Sequence, residues 1–237
     1  PGLTDFTFME GSKAKLFVNA PNALDGNEIS KCDSSAAAFQ SEEAGLVDVV
    51  ADEATILGQI RELVSMLPAN CEVDDSYVEC TDDLNRACAE LANCVGDTSI
   101  AISQIADDNV FFETKAAYAK DMVTGFIRLN GATIGCVANR SEIYNEEGEK
   151  TESFDNVLSA RGCKKAAEFV KFCDAFEIPV LTLTNVKGFK ATKCSEANMA
   201  RNAAELTNAF ISATVPKVNI VIGEAFGSAY LTMNSKS

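Results

Sequence analysis

The chain has 237 residues, a hydrophobic fraction of 47% and a formal charge of −15. That excess of acid argues against an extended nucleic-acid surface, because phosphate backbones require clustered Lys and Arg. No run of about 18 apolar residues predicts a membrane-spanning helix. There is no histidine, so a Ser-His-Asp triad, a Cys-His dyad and a His-rich metal site are all excluded within the chain, and any base must be a carboxylate, a Lys, a Tyr or a cofactor.

The chain opens Pro1-Gly2-Leu3-Thr4-Asp5, without an initiator Met and without the basic and apolar parts of a signal peptide. Something is therefore expected to precede it in the natural protein. Nine cysteines occur and none forms a C-x-x-C pair. The spacing of Cys80, Cys88 and Cys94 suits neither a zinc ribbon nor a zinc finger, so no metal site is expected. Free thiols in a reducing cytoplasm are the expected state.

In chain order, Lys15–Ala20 predicts a strand that stops at Pro21-Asn22, and Ser34–Glu43 a helix entry or a loop near a ligand. Asp52–Leu67 places Ile56, Leu57, Ile60, Leu63, Val64 and Leu67 on one helical stripe, which Pro68 ends. Ala69 to about Thr98 is acidic and Cys-containing, with a short helix expected near Leu84–Leu91; it reads as a linker. Phe111–Ala119 looks helical. Val123–Leu129 and Thr133–Ala138 read as strands joined at Asn130-Gly131, a type I′ hairpin signal because both central residues need positive φ. Glu142–Ser153 reads as an acidic surface loop. A regular alternation follows: helix Ala160–Phe176, strand Pro179–Thr184, helix Ser195–Thr214, strand Val218–Ile222, and a helix from Ala229 onward. Such alternation implies parallel strands with helical crossovers.

In parallel sheets ligands collect where strands end and helices begin. That directs attention to Asn185–Lys190 and Gly223–Tyr230. Small residues at 225 and 227–229 would let a ligand approach the backbone, and free N–H groups at a helix start can stabilise a developing oxyanion. Val186-Lys187-Gly188-Phe189 could supply a second donor. The same small residues would equally serve tight strand–helix packing, Lys187 a solvated loop and Tyr230 simple packing. Glu224, the acid inside these loops, reads as a surface residue.

Five separated blocks occur in one order: Thr4-Asp5-Phe6-Thr7-Phe8-Met9, Gly125 to Gly131, Phe172-Cys173-Asp174-Ala175-Phe176 with Ile178-Pro179, Ala213 to Val218, and Ala225 to Lys236. Together they resemble the carboxyltransferase component of biotin-dependent enzymes such as propionyl-CoA carboxylase and methylmalonyl-CoA decarboxylase. The resemblance implies an α/β, crotonase-like spiral containing the end of one lobe and most of a second. Residues 1–75 would close a CoA-binding lobe, 76–97 would be the acidic linker, and 98–237 would form a biotin-side lobe incomplete at its C-terminus. The chain is thus expected to be an internal fragment, inactive alone.

The resemblance also implies a function: carboxyl transfer between carboxybiotin and a short-chain acyl-CoA, the biotin enolate taking the α-proton. Backbone amides at Ser228 and Ala229 would hold the biotin ureido oxygen, and Gly188 belongs to the loop closing over the same site. Gly227, Phe189, Phe226 and Tyr230 would surround the cofactor, and Leu231 stands where acyl selectivity is set. Expected partners are a biotin carboxyl carrier protein, the acyl-CoA and further copies, in a cytoplasmic hexamer, with neither nucleic acid nor membrane insertion. The chain departs from the family pattern at Ser228 (commonly Gly), Lys187 (usually Pro), Leu231 (commonly acidic) and Ser195–Met199 (usually Gly-rich). Alternatives are a crotonase-type hydratase or isomerase, which would need a carboxylate base, and a non-catalytic assembly subunit.

Overall fold

The computed structural model describes residues 2–72, 76–89 and 91–233. Val73, Asp74 and Asp75 at the expected lobe boundary, Glu90 in the expected linker, and the end of the last resemblance block lie outside the described residues.

A short parallel pair, β1 (Phe8–Glu10) and β2 (Val49–Ala51), opens the chain. Next comes α1 (Glu53–Met66), capped by Asp52, whose Oδ1 accepts from Ala54 N at 3.0 Å and Thr55 N at 3.2 Å. Leu67 turns extended ahead of Pro68, which ends the helix as the sequence predicts. Its apolar stripe divides, however. Leu63 is 4% exposed and joins the core, while Leu57 and Val64 are 59% and 66% exposed. Two helices follow, α2 (Leu91–Cys94) and α3 (Thr98–Ile105).

The main sheet starts with β3 (Phe111–Thr114), β4 (Met122–Leu129) and β5 (Ala132–Asn139). Asn130 and Gly131 have φ of 50° and 79°, so the hairpin is type I′ as read from the sequence. Asp107 secures it by accepting from Asn130 N at 3.0 Å and Gly131 N at 2.7 Å. A small ribbon of β6 (Glu142–Tyr144) and β7 (Lys150–Ser153) occupies the expected acidic loop. Then come β8 (Val157–Leu158), α4 (Ala160–Ala175), β9 (Val180–Val186), β10 (Gly188–Phe189), α5 (Lys193–Ser212), β11 (Lys217–Ala225) and α6 (Gly227–Met233).

The sheet order is β11-β9-β5-β4-β3. β5, β9 and β11 are parallel, with α4 and α5 as crossovers; β4 is antiparallel to both its neighbours. Alternate residues sort to two cores. Met122, Phe126, Val137 and Val180 face α4 and α5, where Phe169, Val170, Leu206 and Phe210 meet them. Val123, Ile127, Cys136 and Leu181 face α3 through Ile102 and Ala106. Burial on both faces explains why these strands read as continuous apolar runs, and each fully buried Phe or Leu contributes about 1.5–3 kcal/mol.

The opening segment is tied to this sheet. Phe6 packs edge-on against Phe126 and Phe172, with centroids at 6.0 and 4.8 Å. Thr133 Oγ1 donates to Met66 O at 2.6 Å at the end of α1.

Three local expectations are corrected. Lys15–Ala20 forms no strand; Leu16 N donates to Ser35 O, but Phe17 and Val18 are exposed, so no ladder partner rewards extension. The helix expected near Leu84–Leu91 is instead Leu91–Cys94, because Asp83 bonds its own neighbourhood, accepting Asn85 N on its carboxylate and Arg86 N on its carbonyl. Phe111–Ala119 is not helical. Phe111–Thr114 pairs with Thr124–Ile127, and Lys115 and Ala119 then adopt positive φ. Gly125 permits that pairing, since a Cβ there would lie 2.2 Å from Phe112 O.

Candidate functional site

The two loops singled out in the sequence lie side by side at the carboxyl ends of β9 and β11. The last register pair is Ala225 with Val186, and Phe226 N donates to Val186 O at 3.0 Å, stitching the loops together. On the outer side, Lys187 N donates to Asn156 O at 2.8 Å and Lys190 N to Leu158 O at 2.9 Å. Gly188 and Phe189 are thereby zipped to Val157 and Leu158.

The glycines of the two loops have different reasons. A Cβ on Gly223 would lie 2.5 Å from Asn185 Oδ1, which accepts from Glu224 N at 2.8 Å. Close packing therefore explains Gly223. Gly188 has open space where its Cβ would be, and so has Gly227, whose φ of +60° favours glycine for the turn into α6. Packing does not account for these two; they leave room beside exposed backbone.

Ser228 is exposed on the first turn of α6, and Ala229, 1% exposed, anchors that turn to the core. The amides of Gly227, Ser228 and Ala229 precede the first intrahelical acceptor of a regular helix, whereas Tyr230 N reaches Phe226 O at 3.3 Å. Thr232 Oγ1 donates to Ser228 O at 3.0 Å, holding the turn from below. Phe189 and Tyr230 pack partly against the main core, while Phe226 and Leu231 are 57% and 63% exposed. Glu224 is half-buried and Lys187 exposed.

Sequence reasoning missed the polar supports beneath these loops. Asn185 fixes the backbone at Glu224, and Asn219 Nδ2 bridges Thr182 and Thr184 at 2.8 and 2.6 Å between β9 and β11. These bonds join residues more than 30 positions apart, so no local pattern marks them.

A second polar centre lies between the opening segment, β3, β4 and α4. Lys165 is 1% exposed and donates to the carbonyls of Lys115, Tyr118 and Met122 at 2.8, 3.0 and 2.7 Å. Burial pulls its pKa down to about 7. The three carbonyls oppose that pull, since a neutral amine has only two N–H groups to give. Asp48, accepting from Thr7 N at 2.8 Å, is pushed up to about 6 by burial. Glu113 is raised in the same way, beside Arg140 at 3.6 Å. Asp48 and Lys165 border a cavity of about 300 Å³ with Phe6, Phe169 and Phe172 on its apolar wall. Among the described residues there is no cluster of His, Cys, Asp and Glu suited to a metal, and no helix long and apolar enough to cross a membrane.

The carboxyl transferase domain profile matches residues 1–237, the whole chain. The chain belongs to the carboxyl transferase family. It is 32% identical to the propionyl-CoA carboxylase beta chain of Roseobacter denitrificans over all of its own length and 47% of that protein's. It is 30% identical to the methylmalonyl-CoA decarboxylase alpha subunit of Propionigenium modestum, covering 46% of it. Among solved structures, transcarboxylase 12S superimposes with a TM-score of 0.86 at 32% identity, over 98% of this chain and 45% of that one. That enzyme was solved as a hexamer assembly with methylmalonyl-CoA bound. The carboxyl transferase chain described here therefore spans about half the length of these relatives, and its fold is the crotonase-like α/β arrangement expected from the resemblance.

Proposed function

We propose that the protein to which this chain belongs transfers a carboxyl group between biotin and a short-chain acyl-CoA, and that this chain supplies the biotin-facing side of the site. The observation that carries the reading is the whole-chain match to the carboxyl transferase family; the stitched loops Val186–Phe189 and Phe226–Ala229 are the part of the chain we read as its biotin side. The absence of His fits, because the reaction asks the protein for position and for amide donors rather than for an imidazole base.

The open space over Gly188 and Gly227 would leave room for the ureido ring of biotin to approach the backbone. Biotin, carried on its carrier protein, would supply the carboxyl group and a ureido oxygen as hydrogen-bond acceptor. The amides of Ser228 and Ala229 would orient that oxygen, Gly188 would admit the ring, and Gly227, Phe189, Phe226 and Tyr230 would enclose it. Leu231, exposed on the same helix, would meet the acyl group.

In this reading residues 1–75 complete a CoA-binding lobe, 76–97 link, and 98–237 form the biotin-side lobe. The working site then lies between copies of a hexamer in the cytoplasm, a setting in which the nine free thiols stay reduced. The test is decarboxylation of malonyl-CoA and methylmalonyl-CoA by the full-length protein with and without biotin. Turnover that requires biotin is expected, and none from residues 1–237 alone. Hydration of an enoyl-CoA without biotin would refute the reading.

A further inference from the structure

Between the two stitched loops of the candidate site stands a cation with no counterion. Lys187 is exposed and directly follows Val186, which is fully buried. Its backbone is pinned on both sides: Val186 O accepts from Phe226 N at 3.0 Å, and Lys187 N donates to Asn156 O at 2.8 Å. The side chain is therefore rooted beside the register pair Val186 and Ala225, next in sequence to Gly188 and the open space over it. From that fixed root a flexible four-carbon stem carries a compact ammonium.

The lysines around α4 are spent on glutamates: Lys115 and Lys164 pair with Glu168, and Lys171 with Glu205. Lys190, at the far end of the turn, borders a small cavity that it shares with Asp121 and Asp155. Lys187 differs from all of these, because it makes no ion pair among the described residues. Glu224, the acid within the two loops, is half-buried and is not paired with it either. In a chain of net charge −15, an unpaired lysine at the mouth of a candidate site is a ready partner for an incoming carboxylate.

We propose that Lys187 distinguishes a carboxylated acyl-CoA of the malonyl-CoA class from the acyl-CoA that lacks the carboxyl group, its ammonium pairing with the carboxylate to be transferred. The proposal rests on the carboxyl-transfer reading, which brings that carboxylate to the space beside Gly188. The nucleotide and pantetheine parts of the two thioesters are identical, so their contacts cancel and the carboxylate alone sets the difference. One solvent-exposed, charge-assisted contact of this kind corresponds to a preference of about fivefold.

The experiment is calorimetric titration of the full-length protein, without biotin, with malonyl-CoA and acetyl-CoA in parallel. Malonyl-CoA should bind about fivefold more tightly, by a margin that shrinks as salt is raised. Lys187→Met should bring the two affinities together by weakening malonyl-CoA alone, and Lys187→Arg should keep the margin. Equal affinities in the parent, a margin that persists in Lys187→Met, or a failure of malonyl-CoA to bind would each overturn the proposal. Turnover is a separate readout. Biotin-dependent decarboxylation alongside equal affinities removes the role of Lys187 and leaves the carboxyl-transfer reading standing, whereas hydration of an enoyl-CoA without biotin removes the reading itself.

Discussion

Substituting Gly223 with Ala isolates the coupling between the two site loops. The new Cβ would sit 2.5 Å from Asn185 Oδ1 and 2.6 Å from its Cγ, too close for both to stay. The side chain of Asn185 can rotate, so the steric relief itself is cheap, but rotation surrenders the 2.8 Å bond from Glu224 N. A half-exposed amide losing its partner costs about 1 kcal/mol, and imperfect repacking raises the total for Gly223→Ala to about 1–2 kcal/mol. Asn185→Ala loses the same bond without a clash and should cost about 1 kcal/mol. The double variant has no clash left and no second bond to lose, so it should cost little more than Asn185→Ala alone. The expected coupling is thus about 1 kcal/mol or more in size and favourable to the double variant. Urea unfolding of the four proteins, followed by far-ultraviolet circular dichroism, measures it. Additivity within about 0.3 kcal/mol would refute the claim that Gly223 is glycine because of Asn185.

Three other expectations follow from the same geometry. Gly227→Ala forces a left-handed alanine and should destabilise by about 1–2 kcal/mol, whereas Gly188→Ala enters open space at ordinary φ and should stay within about 0.5 kcal/mol, both read as urea midpoints. Lys165→Met strands three carbonyls and should cost about 3 kcal/mol or more; a neutral outcome in the same assay would mean water satisfies them. Asp48 has a folded pKa near 6 against 3.8 unfolded, so the native state holds the extra proton between those values and stability falls as pH rises through that window. The gap corresponds to about 3 kcal/mol. Unfolding at pH 4 and pH 7 should show that loss in the parent and a flatter response in Asp48→Asn.

The crossovers and the hairpin were legible because they rest on local chemistry. Asn130-Gly131 demands positive φ at both positions, and the apolar spacing of α4 survives in any context. What could not be read depends on partners distant in sequence. Phe111 and Phe112 sit in a stretch whose Lys115–Ala119 continuation has good helix formers, yet pairing with Phe126 and Ile127 overrides that preference. Lys15–Ala20 has strand composition but finds no ladder. In α1 the stripe predicts a helix correctly without saying which of its residues face the sheet: Leu63 does, and Leu57 and Val64 do not. The loops at 185–190 and 223–230 were visible as Gly-rich strand ends. Asn185 and Asn219 were not, because an asparagine in a strand acquires its meaning from the neighbour it reaches.

The sheet order explains why the candidate site lies at one edge of the sheet. With β5, β9 and β11 parallel, every crossover helix must begin where a strand ends, so α4 and α5 start at the edge that carries Val186 and Ala225. Backbone amides and a favourable field for anions are therefore delivered there by topology alone. Side chains then divide the edge. Toward β11 the residues are small, Gly188, Gly227 and Ala229, with open space over the first two. Toward α4 and α5 they are Arg161, Lys164, Lys190 and Arg201, the first two paired with Glu43 and Glu168.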